Sequence, residues 1–476
     1  MKILLQVLAA TTALVAAPLA AHDALVGATV IDGTGRSFEN GVVVTHEGRI
    51  RCAGTRAECP IPEGSAVTDV TGSYVTPGLV DAHVHFDQTG WIDGRPDGIE
   101  DKSVYPYEAT IAALRADPGR WHRAYLCSGV TAVFDVGGAP WTVTDPHATD
   151  TDRADRAHVK SAGPLITHFN ALNRFFAYGS LADQPIFLPM DSAEQIRADV
   201  ARLKAMGSSA VKVWFIQPEP DQRERLEGLL MTAGTEAAAN GLPLIVHSTE
   251  LDTAKAALRA GAKMLVHSVD NKLVDEEFIG LMKANDAVYA PTLNAGRNWG
   301  RAVLSVATGE AVEIDDPNNC VDQPLFDRID NPEALRPALS AARGPAVTPF
   351  AMRMERSGRE DVHMALNLRT VRDAGLRIAM ATDAGNPLTL HGPSVYNEME
   401  AMQAAGMTPQ EIIRSATIEG ARAMGLADEI GTLEAGKTAD LIVLAEDPRS
   451  DVKAFRSLTH VMRRGVLKSQ EDLQVR

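Results

Sequence analysis

From Thr76 to about Gly425 the chain repeats one grammar: a short apolar run, a turn, then a longer amphipathic stretch. Eight runs read as strands, at 79–85, 131–136, 165–168, 210–214, 242–247, 264–267, 287–291 and 377–382. Stretches at 193–205, 224–240 and 272–284 between them carry helical spacing. Strands that alternate with helices run parallel, because a parallel return needs a crossover long enough to hold a helix. Eight such units predict a closed (β/α)8 barrel, with functional groups gathered at the C-terminal ends of its strands. The punctuation agrees. Ser192 with Gln195 three residues on has the form of a capping box, and Gly241 and Gly261 are helix stops ahead of strands.

The two ends read differently. Val30-Ile31-Asp32-Gly33-Thr34-Gly35 ends a strand in a turn, and Val42-Val43-Val44 leads into Glu47-Gly48, which is hairpin grammar. Runs at 439–444 and 461–467 are strand-like again. The expected division is a barrel over 76–425 and one small sheet domain shared by 22–75 and 426–476. Two stretches exceed a minimal connection: 87–101, rich in Gly and Asp, and 294–345. Both leave the C-terminal ends of predicted strands, as lids or as tolerated surface insertions.

Residues 1–21 stand apart. Met1-Lys2 precede an apolar run from Leu4 to Leu19 that ends in small residues before His22-Asp23, the form of a secretory signal peptide cut after Ala21. No other segment approaches ~20 uninterrupted apolar residues. The expectation is a periplasmic or secreted protein with no membrane contact once the leader is removed. Export permits disulfides. Cys52 and Cys59 flank a turn-like stretch, a spacing that allows a local bridge; Cys127 reads as a buried free thiol, and Cys320 lies in a polar segment. The chain has no C-x-x-C pair to support a cysteine zinc ribbon or a redox motif. The 46 basic and 62 acidic side chains give a net charge of −16, a field that repels nucleic acid and anionic lipid. Small molecules are the expected partners, with a symmetric homo-oligomer as the default assembly.

Thirteen histidines are ordinary for this length; their placement is not. His83 and His85, two apart on a strand end, point the same way. His247 and His267 end the fifth and sixth predicted strands, Asp383 follows the eighth, and Lys212 sits within the fourth. One histidine at a strand end is most often structural. Four histidines and a carboxylate at the same ends of barrel strands predict a metal site, and imidazole with carboxylate suits Zn, Mn, Fe, Ni or Co. Lys212 reads two ways. It is a barrel-interior ammonium paired with Asp383, or it is carbamylated by carbon dioxide into an anion able to bridge two metals. The second needs a deprotonated amine, which burial beside cations promotes.

Three motifs carry a family resemblance. Thr-Pro-Gly-Leu-Val-Asp-Ala-His-Val-His at 76–85 resembles the opening metal motif of the amidohydrolase superfamily. Gly-Val-Thr-Ala-Val-Phe-Asp-Val-Gly-Gly at 129–138 resembles its second strand. Gly-Thr-Leu-Glu-Ala-Gly-Lys-Thr-Ala-Asp-Leu-Ile-Val-Leu at 431–444 resembles its C-terminal signature. The resemblance covers essentially the whole mature chain and is greatest to the imidazolonepropionase-like and Xaa-Pro dipeptidase-like branch, whose members with a lysine on the fourth strand are typically binuclear. It implies an α/β fold, a (β/α)8 TIM barrel with a small β-sandwich domain built from both chain ends. It also implies two divalent metal ions, zinc being the first expectation. His83, His85 and Asp383 would hold one, and His247 and His267 the other, with N6-carboxylated Lys212 and a hydroxide between them. Asp383 would be general base and acid in cleaving a C–N amide bond of an N-acyl amino acid, a dipeptide-like compound or a cyclic amide.

Trp214-Phe-Ile-Gln-Pro, where a small Gly-rich stretch is expected, and the long 294–345 segment depart from the dipeptidase-like pattern and argue against an ordinary dipeptide. His168, His391 and Trp214 are candidate substrate contacts, each with a structural role as the competing reading. Trp91 is a further candidate pocket wall, and Asp135 is expected to bond backbone or side chain rather than metal. The alternative function is a mononuclear deaminase or cyclic-amidine hydrolase with an unmodified Lys212. An inert ligand-binding protein on the same scaffold is opposed by the intact ligand set.

Overall fold

The computed structural model describes residues 22–92, 104–149, 152–168, 184–344, 349, 351–352 and 362–476. The expected leader at 1–21, the later part of the 87–101 stretch and the last residue of the 294–345 stretch lie outside them. The chain opens with β1 (Asp23–Ile31), β2 (Ser37–His46), β3 (Arg49–Gly54), β4 (Ala66–Asp69) and β5 (Tyr74–Pro77). Then come β6 (Leu79–Val84), β7 (Val130–Asp135), β8 (His158–Ser161), β9 (Leu165–Thr167), β10 (Phe187–Pro189), β11 (Val211–Trp214), β12 (Leu244–His247), β13 (Met264–Val266), β14 (Val288–Ala290) and β15 (Arg377–Ile378). It closes with β16 (Leu441–Leu444), β17 (Leu458–Arg463) and β18 (Val466–Ser469).

The middle strands form two parallel sheets, β6-β7-β8 and β10-β9-β11-β12-β13-β14-β15, with helices on most of the connections between them: an α/β fold. Backbone bonds cross both gaps between them. Ala82 N–H donates to the Met380 carbonyl at 3.1 Å, and Ser209 N–H to the Ser161 carbonyl at 2.8 Å. Because the strands are parallel, all their C-terminal ends lie on one side, so groups far apart in sequence meet there.

Strands from both chain ends share a third sheet, ordered β18-β17-β16-β5-β1-β2-β3, with β4 also on β1. Val75 of β5 stands opposite Val443 of β16, and Val30, Val43, Leu441 and Met462 fill the core beside them. Asp440 ties this sheet to β8. Its Oδ2 accepts from His158 Nε2 at 2.8 Å, and its Oδ1 from Arg463 Nη1 at 3.1 Å and from Arg464 N–H at 2.8 Å. Burial opposes ionisation of this carboxyl, yet His158 and Arg463 hold it below its ordinary pKa.

Each of the eight expected strands has a counterpart, but β8 and β10 were not expected. β8 carries His158, Lys160 and Ser161 and so lacks an apolar run; β10 has three residues and ends in Pro189. The capping box at Ser192 is half made. Ser192 Oγ accepts from Gln195 N–H at 3.2 Å, but the Gln195 amide turns to Asp199 at 2.9 Å, where a buried carboxylate competes for it. Gly241 and Gly261 do stop helices, with φ of 67° and 89°, a backbone conformation that disfavours any side chain.

Cys52 and Cys59 are bridged. Cys127 is not the free thiol expected; it is bridged to Cys320. Cys320 lies in a polar segment, and its polar neighbours are what sink it. Asp316 accepts the Cys320 and Val321 amides at 2.8 and 2.9 Å, folding the turn onto the helix Arg120–Cys127. The two long stretches also merge. Trp91 and Ile92, the helices Ala295–Thr308, Gln323–Ile329 and Arg336–Arg343, and Leu388 and Leu390 build one apolar cluster on the side where β6, β14 and β15 end.

The Cys127–Cys320 bridge spans 193 residues of sequence, which removes on the order of 5 kcal/mol of denatured-chain entropy. A Cys127→Ser/Cys320→Ser variant should therefore lose much more urea resistance than Cys52→Ser/Cys59→Ser; equal losses would contradict this. Asp440→Ala should cost roughly 3–5 kcal/mol in the same denaturation, since it strands two buried partners.

Candidate metal centre

His83 and His85 lie on one face at the end of β6, both buried, with their Nε2 atoms 3.1 Å apart. Asp383 Oδ1 lies 3.2 Å from the first and 3.0 Å from the second. Backbone pairing sets this approach. Asp383 N–H donates to the His83 carbonyl, and His85 N–H to the Ala384 carbonyl, each at 2.8 Å. His85 Nδ1 faces the Gly137 carbonyl at 2.6 Å, which can only accept; Nδ1 therefore carries a proton, and Nε2 faces inward to Asp383.

The remaining predicted ligands converge on the same place. The His247 and His267 rings are 4.3 Å apart, and those of His83 and His267 are 5.2 Å apart. His267 and Asp383 hold φ of 77° and 67°, left-handed conformations that non-glycine residues keep only where the surroundings enforce them. Lys212 on β11 has no exposed surface, and among the described residues its Nζ has no hydrogen-bond partner. Burial lowers its pKa to about 7, against the opposing pull of Asp383 and Asp135.

Burial also pushes the pKa of His83 and His267 well down and that of His247 to about 3, so these rings are neutral with free lone pairs. His85 moves the other way. Burial lowers its pKa, but the Asp383 carboxylate outweighs this and raises it. A proton there occupies the position that a cation competes for. Among the described residues, His83 Nδ1, His247 Nδ1 and Lys212 Nζ are buried without partners, and each such group costs about 1–3 kcal/mol. This surplus of nitrogen and oxygen donors fits a divalent transition metal. Among the described residues, His83, His85 and Asp383 form the one group whose ligand atoms all lie within 4.8 Å of one another.

Asp81 also belongs to the site, and the sequence reading passed over it. It accepts from Thr382 Oγ1 at 2.5 Å, Thr382 N–H at 3.0 Å and His83 N–H at 3.2 Å, splinting the two ligand-bearing strand ends. Its place two residues before His83, on the same face of β6, was the available signal. Burial raises its pKa to about 7. Asp135 accepts from Ser161 Oγ at 3.0 Å and from Gly137 N–H at 3.4 Å, as expected of a supporting residue.

The candidate substrate contacts divide. Both His391 nitrogens are engaged by the fold: Nδ1 accepts from the Tyr125 hydroxyl at 2.7 Å, Nε2 donates to the Gln88 carbonyl at 2.9 Å, and the ring stacks on Trp121. His168 is half-buried and donates to the Ile216 carbonyl at 2.8 Å. Trp214, two residues after Lys212 on β11, has its ring 5.6 Å from His247 and 5.4 Å from Phe187. Trp91 is packed in the apolar cluster.

Residues 74–468 match the model of the Amidohydrolase family. The chain is 24% identical to an ochratoxinase of Aspergillus niger over 477 residues, covering 92% of this chain and 85% of that protein. It is 26% identical to an imidazolonepropionase of Caulobacter vibrioides over 425 residues, covering 85% and 87%. Among solved structures, a Xaa-Pro dipeptidase with methionine bound in the active site superposes with a TM-score of 0.65 at 21% identity, over 94% of this chain and 100% of that one. At that identity the superposition speaks for the fold alone. The family match spans β6 to β17 and with them every predicted ligand, so the chain belongs to the amidohydrolase family and is a hydrolase acting on C–N bonds.

Proposed function

We propose that this chain is a binuclear metal hydrolase cleaving an amide C–N bond of an N-acyl amino acid, a dipeptide-like compound or a cyclic amide. The observation that carries the reading is Lys212: a fully buried amine on β11 with no hydrogen-bond partner among the described residues, within electrostatic reach of His83, His85, His247, His267 and Asp383. The scaffold is read as one closed (β/α)8 barrel over 76–425, which the backbone bonds across both sheet gaps support. A β-sandwich domain from 22–75 and 426–476 stands beside it. The protein is read as exported, which two disulfides support.

His83, His85 and Asp383 would hold one ion and His247 and His267 the other, with carbamylated Lys212 between them; zinc is the first candidate. Bound divalent ions lower the pKa of water toward neutrality and polarise a carbonyl. The chain's own residues supply the rest. With a pKa near 7, a substantial fraction of the Lys212 amine is neutral at physiological pH. Its nitrogen lone pair forms a bond to the carbon of carbon dioxide, one proton leaves, and an anionic carbamate results. The Asp383 carboxylate takes a proton from the attacking water and passes it to the departing amine. The Gly137 carbonyl holds the His85 ring, and the Asp81 carboxyl holds the backbone at His83 and Thr382.

Trp214 and Phe187 form an aromatic wall beside His247, which suits a substrate with an apolar group. The relatives named ochratoxinase and imidazolonepropionase support a substrate other than an ordinary dipeptide. The mononuclear alternative draws on one observation: the compact group within 4.8 Å comprises His83, His85 and Asp383 alone.

Hydrolysis of an N-acyl aromatic amino acid should stop on chelation and return with Zn²⁺. Asp383→Asn should lower kcat by about 10²–10⁴. Lys212→Ala should lose comparable activity together with bound metal; near-normal kcat in that variant would sink the binuclear reading and favour the mononuclear one. Trp214→Ala should raise KM for the aromatic substrate roughly tenfold, or ~1.4 kcal/mol, while kcat changes little. An unchanged KM would remove Trp214 from the pocket.

A further inference from the structure

In the ligand assignment above, β14 supplies no ligand, yet the turn that follows it is held against the centre. Thr292 has φ of 46°, a left-handed conformation that is an outlier for a β-branched residue. Its Oγ1 stands 2.7 Å from His267 Nδ1. The next two residues are clamped by Glu398, on the helix Ser394–Ala404. Leu293 N–H donates to Oε1 at 2.7 Å, and Asn294 donates to Oε2 from its backbone N–H at 3.2 Å and from Nδ2 at 3.1 Å. Asn294 Nδ2 also reaches the Asn397 carbonyl at 3.0 Å.

Glu398 is 1% exposed. Burying a carboxylate is costly, and the amides of this turn offset that cost only in part: burial still raises the Glu398 pKa to about 8. Hydrolysis gives Glu398 nothing to do directly. Backbone strain of the kind seen at Thr292 persists only where neighbouring bonds over-determine it.

We infer that Glu398 and Thr292 are positioning residues for the metal centre: Glu398 holds the 292–294 turn in its strained form, and the Thr292 hydroxyl so placed fixes the His267 ring. The bond between Nδ1 and the hydroxyl holds the ring in one orientation, with Nε2 turned to the site for a ligand bond. Without the hydroxyl the ring is free to rotate. The inference rests on the reading of His267 as a metal ligand. Loss of such an outer partner typically weakens metal affinity by about 10–100-fold.

The test is a titration of metal-free protein with Co²⁺ in bicarbonate buffer, read by ligand-field absorption and calorimetry. Wild type should take two equivalents. Thr292→Val, nearly isosteric, should keep the first and bind the second about 10–100-fold more weakly, and Thr292→Ser should restore it. Glu398→Gln should weaken the same step, with far-UV circular dichroism showing that it folds. His267→Ala should lose the second equivalent, and adding Thr292→Val to it should change nothing more. Two ions bound as tightly by Thr292→Val as by wild type would overturn the relay and leave the ligand reading standing. A weakened Thr292→Val that Thr292→Ser does not restore would overturn the hydroxyl's role. A single ion in wild type, bound equally well by His267→Ala, would overturn the ligand assignment and the relay with it.

Discussion

The rest of the structure is arranged around one electrostatic problem: a lysine amine and four imidazoles meet in a largely buried site beside the Asp383 carboxylate, with Asp81 and Asp135 buried behind them. Among the described residues, Lys212 Nζ, His83 Nδ1 and His247 Nδ1 have no hydrogen-bond partner. Buried lone pairs without donors are destabilising. A fold keeps such a cluster when something from outside completes it. Divalent cations do so for neutral imidazole and carboxylate, and carbon dioxide does so for a neutral amine by making it an anion. The same desolvation that costs stability sets the protonation states needed: neutral rings, and an amine with a pKa near 7.

The scaffold answers this problem with rigidity. Parallel strands deliver the ligands to one side, but strand ends are where backbone pairing stops and positions would loosen. Three of the candidate ligands are pinned by neighbours. Asp81 splints His83 to Thr382, the Gly137 carbonyl fixes the tautomer of His85, and Thr292 faces His267. The apolar cluster around Trp91, Leu388 and Leu390 covers the connections that leave three of these strands, and the Cys127–Cys320 bridge anchors it to the body.

Much of this was legible in the sequence because it depends on local spacing. His83 and His85 announce a shared face by being two apart, and the strand–helix alternation announces parallel strands. What stayed hidden depends on contacts between distant segments. Nothing near Cys320 shows that Asp316 will fold its turn inward to meet Cys127. Nothing near His391 shows that Tyr125 and the Gln88 carbonyl will occupy both its nitrogens. β8 lacked the apolar run that marks a strand, and Glu398 looks like any surface glutamate on a helix until the 292–294 turn packs onto it. The donors were readable from pattern; the groups that hold them were not, because hydrogen bonds across sequence leave no periodic trace.

The central claim is that Lys212 is carbamylated between two metal ions. The most direct measurement is metal per chain by mass spectrometry on protein purified without chelators from ¹³C-bicarbonate, with carbamate carbon read by ¹³C NMR on the same sample. The account predicts two metals and one carbamate carbon per chain. One metal and no carbamate signal would contradict it and leave Lys212 an ordinary amine.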